Sequence, residues 1–207
     1  MTLGVITIIR AVTRWEPNAS GRLQEAALEL FTERGFEQTT VEDIATRAGL
    51  TKRTFFRHFA DKREVLFSGG AEFQRRFVEG LAGAPASTPP LEAVAVALEA
   101  GGAFLRDRRD FARRRQAVVT ANAELQEREL VKLASVSAAL ADGLRERGVP
   151  EPAASVTAET GIAVFRTAFE RWVAAEDGRE LPDFIRESLD ALRAVSAAPR
   201  APLPRAR

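Results

Sequence analysis

The chain has 207 residues, 45% hydrophobic and 29% charged, with a formal net charge of +1. That is the balance of a folded globular protein, and its bulk charge announces no polyanionic partner, so any basic site has to be local. There is no cysteine and one histidine, His58, which excludes disulfides, thiolate metal sites and cysteine nucleophiles and leaves little for a zinc site or a histidine triad.

Ala, Leu, Glu and Arg dominate, tyrosine is absent, and strand-forming runs are scarce; an all-α protein of about nine helices is expected. The opening stretch, residues 3–9, is apolar but far short of the ~20 residues of a membrane span. As a signal peptide it lacks a basic flank ahead of it; Arg10 and Arg14 come after it instead. Residues 1–19 therefore read as a flexible arm, or the trace of an upstream translation start, on a cytoplasmic protein with no membrane partner.

The first amphipathic helix is predicted over 20–34. Leu23, Ala26, Ala27, Leu30 and Phe31 share one face, Glu25, Glu29 and Glu33 point outward, and Gly35 stops it. Thr40 with Asp43 opens a short second helix that ends at Ala48-Gly49, and Thr51 opens a third over 52–59. Asp61 to Glu64 spells a further capping box, read as the start of a long fourth helix to about Leu81.

Residues 83–90 are Pro-rich and read as a linker. Beyond it helices are expected over 91–106, 111–120, 123–147 (capped by Asn122), 153–175 and 183–197. Residues 199–207, Pro- and Arg-rich, read as a disordered tail.

The informative segment is 40–59. Ala45 is small where two short helices must cross, and Gly49 suits the sharp turn between them. Ile44, Ala48, Leu50, Phe55 and Phe59 face inward. Lys52, Arg53, Thr54, Phe56 and Arg57 are left outside. From 47 to 63 the bases are Arg47, Lys52, Arg53, Arg57, Lys62 and Arg63 against one acid, Asp61, a positive patch on a nearly neutral chain.

This segment resembles the DNA-binding domain of TetR-family (tetracycline-repressor-like) regulators. The matching residues are Ala26 to Phe31, Gly35-Phe36, Thr39 to Ala45, Ala48-Gly49 and Thr54 to Lys62. The resemblance covers about a quarter of the chain. It implies a helix-turn-helix domain over 20–66 and a larger ligand-binding and dimerising domain over 67–198.

By position, it implies a recognition helix over 52–58 in the major groove, with Lys52, Arg53 and Thr54 nearest the bases and Arg53 and Lys52 reading guanine. Thr40, His58 and Lys62 would hold the DNA backbone, Lys62 from the start of the fourth helix. Thr40 and Thr51 serve equally as plain caps, and His58 as a cover for the core. Phe56 departs from the family, where tyrosine is common, and forgoes a phosphate hydrogen bond. Arg10, Arg14 and Arg22 could reach a minor groove.

In the second domain, Phe73, Phe77, Phe104, Phe111, Phe165 and Trp172 are candidates for the walls of an effector pocket, with a packed core as the alternative. The arginine-rich run 106–115 reads either as a mouth for an anionic ligand such as an acyl-coenzyme A, or as a hydrated surface paired with Asp107 and Asp110. Two stripes on the last helices, Ile162, Phe165, Phe169, Trp172 and Val173, then Leu181, Phe184, Ile185, Leu189 and Leu192, are candidates for a two-fold four-helix dimer interface.

The expected function is a ligand-responsive repressor, a homodimer on a palindromic double-stranded operator, released by a small hydrophobic effector and needing no cofactor. Alternatives are an activator or a ligand-independent DNA-binding dimer. A helical enzyme is remote, since the chain lacks a Gly-x-Ser-x-Gly elbow, a phosphate-cradling loop and a metal-ligand cluster.

Overall fold

The computed structural model describes residues 18–197. The arm with its apolar stretch, Arg10 and Arg14, and the tail over 199–207, lie outside the described residues. Among the described residues there are nine α-helices and no strand: α1 (Ala19–Arg34), α2 (Val41–Arg47), α3 (Lys52–His58), α4 (Gly70–Gly83), α5 (Pro90–Ala103), α6 (Arg109–Thr120), α7 (Ala123–Glu146), α8 (Ala153–Ala174) and α9 (Leu181–Ala197). None is long and apolar enough to cross a membrane.

The first three helices form where their caps place them. Asn18 accepts from the Gly21 amide at 3.0 Å. Thr40 Oγ1 accepts from the Asp43 amide at 3.1 Å while Asp43 takes the Thr40 amide at 2.9 Å, a complete capping box. Gly49 turns the chain between α2 and α3 at φ 65°, a conformation that costs an L side chain about 1–2 kcal/mol. Leu23, Ala27, Leu30, Ile44 and Phe55, all essentially without exposure, make the small core.

This core does not close on the first three helices alone. Val118 and Val119 of α6 and Leu125 of α7 belong to the same apolar cluster, so the end of one helical hairpin of the larger domain is built into the smaller one. A second cluster joins α4, α5, α7, α8 and α9. Small residues set the helix spacings there: a Cβ on Gly101 would lie 2.1 Å from the Phe77 ring, and one on Gly161 2.4 Å from Val94.

The expected long fourth helix is not continuous. Asp61 accepts the amides of Arg63 and Glu64, but the chain then makes only a 3-10 turn over Glu64–Leu66, and α4 begins at Gly70. Gly69 at φ 84° leaves the helical region, and two successive glycines give the backbone little reason to remain in it.

Three smaller expectations also change. Pro90 opens α5 from its first turn, where a missing N–H costs nothing. Residues 83–90 are a tight connection: Ala84 is buried, and Arg147 donates to the carbonyls of Ala84 and Pro85 at 2.9 and 2.6 Å. Asn122 stands before α7 but turns its amide back onto the Val118 carbonyl at 2.6 Å, and so caps nothing with its side chain.

Both stripes assigned to a dimer interface face the chain's own core. Ile162, Phe165, Trp172, Val173, Leu181, Phe184, Ile185 and Leu189 are buried in the monomer, and Phe169 and Leu192 pack against the same cluster. Their amphipathic period describes how α8 and α9 pack on α5 and α7, since a helix covers its most apolar face first. The faces of α8 and α9 turned outward carry Val156, Ala163, Ala191 and Val195.

Candidate functional site

On α3, Thr51 Oγ1 accepts from the Thr54 amide at 3.1 Å and shares a hydrogen bond with the Thr54 hydroxyl at 3.0 Å. Phe55 is buried and Phe59 nearly so, their rings 5.3 Å apart, which nails the helix to the core by one side. The other side presents Lys52, Arg53, Phe56, Arg57 and His58 to solvent, Phe56 with half its surface exposed. Lys52, Arg53 and Arg57 make no ion pair or hydrogen bond among the described residues; most other cations do.

That contrast redraws the positive patch. Arg47 is neutralised by Glu29 and Glu33 at 3.1 and 2.9 Å, and Arg63 by Asp61 and Glu124 at 2.7 and 2.8 Å. Lys62 does not stand at the start of a helix. Its ammonium donates to the Phe36 carbonyl at 2.9 Å and lies 4.2 Å over the Phe36 ring, bracing the loop between α1 and α2.

Thr40 gives its hydroxyl hydrogen to Asp43 at 2.6 Å. Arg22 donates to the Ala48 carbonyl at the end of α2. His58 leans on Phe59, ring centroids 6.2 Å apart, and stays exposed. Within the basic stretch 47–63, the positive charge left without an ion pair or hydrogen bond is thus that of α3.

A cavity of about 340 Å³ lies where the two clusters meet. Its walls are Phe73, Phe104, Phe111, Phe165 and Phe169, with Leu66, Gly69 and Gly70 from the break before α4. Four of the six aromatic candidates therefore line it. Phe77 and Trp172 do not: they are core residues with essentially no exposure.

Of the polar part of the wall, sequence reasoning singled out the run that holds Arg108 and Arg115 but missed Glu129 and Lys132. Arg115 is buried, its Nε 2.8 Å from the Leu66 carbonyl and its Nη2 paired with Glu129 at 2.5 Å. Lys132 reaches 3.9 Å from the other Glu129 oxygen and sits 4.6 Å over the Phe73 ring. The signal existed: Glu129 and Lys132 fall at i+4 and i+7 from buried Leu125, on the apolar stripe of α7.

Burial pushes the Lys132 ammonium down from 10.5 to about 8, with Glu129 opposing the shift. For Glu129, burial raises the pKa, but Arg115 and Lys132 outweigh it and the carboxyl lies below its ordinary value. A lysine whose folded pKa is lowered burdens the folded state below about pH 8, and the burden lifts as pH rises toward 10.5. Lys132→Met is therefore expected to be more stable than the parent by roughly 2–3 kcal/mol at pH 7, with the gap closing by pH 10.5. Urea unfolding of both proteins across that range checks it, and a gap independent of pH would contradict it.

The arginine run 106–115 divides: Arg108 and Arg115 stand on the cavity wall, whereas Arg109, Arg113 and Arg114 are turned to other parts of the fold. Arg109 donates to the Trp172 carbonyl at 2.8 and 2.6 Å, and Arg113 to those of Val173 and Ala175 at 2.7 and 2.9 Å. Both satisfy the last carbonyls of α8, where cations also suit the helix dipole. Asp107 and Asp110 pair with none of these arginines among the described residues.

Arg114 crosses to Glu25 of α1 at 2.6 Å, and Arg128 of α7 to Glu64 at 2.7 Å. With Arg115 on Leu66, these contacts latch the small helical unit onto α6 and α7.

Comparison with known proteins agrees with this geometry. Residues 23–68 match the family described as bacterial regulatory proteins, tetR family, and residues 88–197 match the MftR C-terminal domain. The regulator TcmR of Streptomyces glaucescens is 39% identical over 106 residues, 46% of this chain and 47% of that protein. The chain thus spans about half the length of that relative. The protein named MftR in Mycobacterium tuberculosis is 28% identical over 158 residues, 74% of this chain and 79% of its own.

SmeT of Stenotrophomonas maltophilia, solved with triclosan, superposes with a TM-score of 0.62 at 20% identity, covering 91% of this chain and all of that one. That last likeness is one of fold. Together, the two domain matches and the free cations of the third helix place the chain in the TetR family of transcriptional regulators.

Proposed function

We propose that the protein is a repressor that binds a palindromic DNA operator as a homodimer and releases it when a small, largely apolar effector enters the cavity. The observation that carries the DNA reading is the row of unpaired cations on the exposed side of a rigidly anchored α3. Lys52, Arg53 and Thr54 sit at the helix start, where base edges are read, with Phe56 available to a thymine methyl group. Thr40, Thr51, Arg57 and His58 flank them toward the phosphates. Lys62 enters this reading as a brace.

A two-fold pair would form through the outward faces of α8 and α9, around Val156, Ala163, Ala191 and Val195, because the inner stripes are already used. Repression has the support of KstR2 of Mycobacterium tuberculosis, which is named as a transcriptional repressor and is 46% identical over 46 residues, 22% of this chain and 23% of that protein.

Release is a consequence of where the cavity lies. Its wall includes Arg115, whose other partner is the Leu66 carbonyl, one residue before the buried Phe67 and three before the glycine break. An effector that shifts Arg115 or the start of α4 also shifts the hold on the helix-turn-helix unit, provided it binds the two states unequally.

Selection of bound duplexes from a random library, with the mass of the complex, tests the proposal. Two protomers on a sequence with two-fold symmetry are expected, and a monomer indifferent to every duplex at low salt would end it. Arg53→Ala is expected to relax base preference at one position of each half-site by about 1–3 kcal/mol, while Arg57→Ala weakens all duplexes and lowers the salt slope by about 1. Equal effects of the two on every duplex would refute that division.

A further inference from the structure

Lys132 is incompletely partnered for a cation in its position. Its side chain keeps 19% of its exposure, it makes no hydrogen bond among the described residues, and its nearest carboxylate oxygen is 3.9 Å away. That carboxylate, on Glu129, has its better partner in Arg115. An ammonium has three protons to place, and leaving them unplaced in a largely apolar site is costly. Lys132 sits at the wall of the cavity, its ammonium over the ring of Phe73. Around it the charged groups facing the cavity are Arg108, Arg115 and Arg166 against Glu129 and Glu170, so with Lys132 the site holds more positive than negative charge.

We propose that the effector is an organic anion: a compact apolar body held among the phenylalanines, with a carboxylate or similar head group on Lys132. This rests on the reading of the cavity as the effector site and names the chemical class it takes. A neutral hydrophobe would fill the same walls but leave the ammonium bare, and a cation would meet an excess of like charge. Lysine suits the task, since a compact charge on a flexible stem can swing from Glu129 toward a ligand oxygen without disturbing the Arg115 pair. The volume, about 340 Å³, lies near the lower end for small-molecule sites and favours a bicyclic or similarly small body.

The test uses the full-length protein and two probes of nearly equal size, 2-naphthoate and 2-naphthylmethanol, measured by calorimetry at pH 7. The acid is expected to bind about 10-fold tighter or more, the worth of one charge-assisted hydrogen bond. Lys132→Met should reduce that preference to within about 2-fold while leaving the alcohol's affinity unchanged, and Lys132→Arg should keep the preference, which separates an absent charge from a damaged fold. Equal affinity for the two probes, no binding of the acid at millimolar concentration, or a preference that survives in Lys132→Met would each overturn the assignment. Operator release is read in parallel. If the acid binds through Lys132 but the operator stays bound, the anion site stands and its role as the effector site fails.

Discussion

Arg115→Met is expected to lower the free energy of unfolding by roughly 3–5 kcal/mol, the range for removing one partner of a buried ion pair. Arg115 is 8% exposed. Its guanidinium serves the Leu66 carbonyl and Glu129 and lies 4.8 Å over the Phe67 ring. Methionine preserves much of the volume but none of these interactions. Glu129 would be left with Lys132 at 3.9 Å, and the Leu66 carbonyl would be without its side-chain partner.

Adding Glu129→Gln should recover part of the deficit, because the second change removes the stranded charge, and the two substitutions are therefore expected to be non-additive. Urea unfolding of the two single variants and the double variant measures this. A decrease below about 1 kcal/mol in Arg115→Met would show that the pair behaves as a surface pair. The same variant should bind operator with weakened response to any effector, since the link from cavity to Leu66 is cut.

What could be read from the chain divides along a physical line. Helix caps and stops are local: Thr40 with Asp43, Thr51, and Gly49 act within a few residues, so α1, α2 and α3 are legible from sequence to within a residue or two. The apolar stripes are legible as stripes, but not what covers them. Phe184 and Ile185 look the same from sequence whether they face α5 or another protomer, and only the tertiary arrangement says which. The fourth helix misled for a related reason, because a strong capping box at Asp61 outweighed Gly69-Gly70 in a one-dimensional reading.

Least legible were the arginines. Arg109, Arg113, Arg114 and Arg115 are nearly consecutive, yet they go to the end of α8, to α1, and to the buried Leu66 and Glu129. A charge run carries no record of partners 60 residues away. The Glu129 and Lys132 pair could have been suspected from its place on an apolar face, and with it the polar side of the cavity wall.

The simultaneous change Lys52→Ala, Arg53→Ala and Arg57→Ala is expected to reduce operator affinity by at least about 10³-fold, counting about 1–3 kcal/mol for a base-reading side chain and about one unit of salt slope for each phosphate no longer neutralised. Stability should barely move, within about 0.5 kcal/mol per site. All three side chains are exposed and make no ion pair or hydrogen bond among the described residues, and α3 is held by Phe55, Phe59 and the Thr51 cap, none of which is touched. Fluorescence anisotropy with a labelled operator at several salt concentrations, beside a thermal melt, separates the two quantities. Had Arg47 and Lys62 been chosen instead, the melt should move first, since both are spent on internal interactions. A triple variant that keeps its affinity and its salt slope would mean that α3 is not the surface that meets DNA, however well its charge and its anchoring suit a major groove.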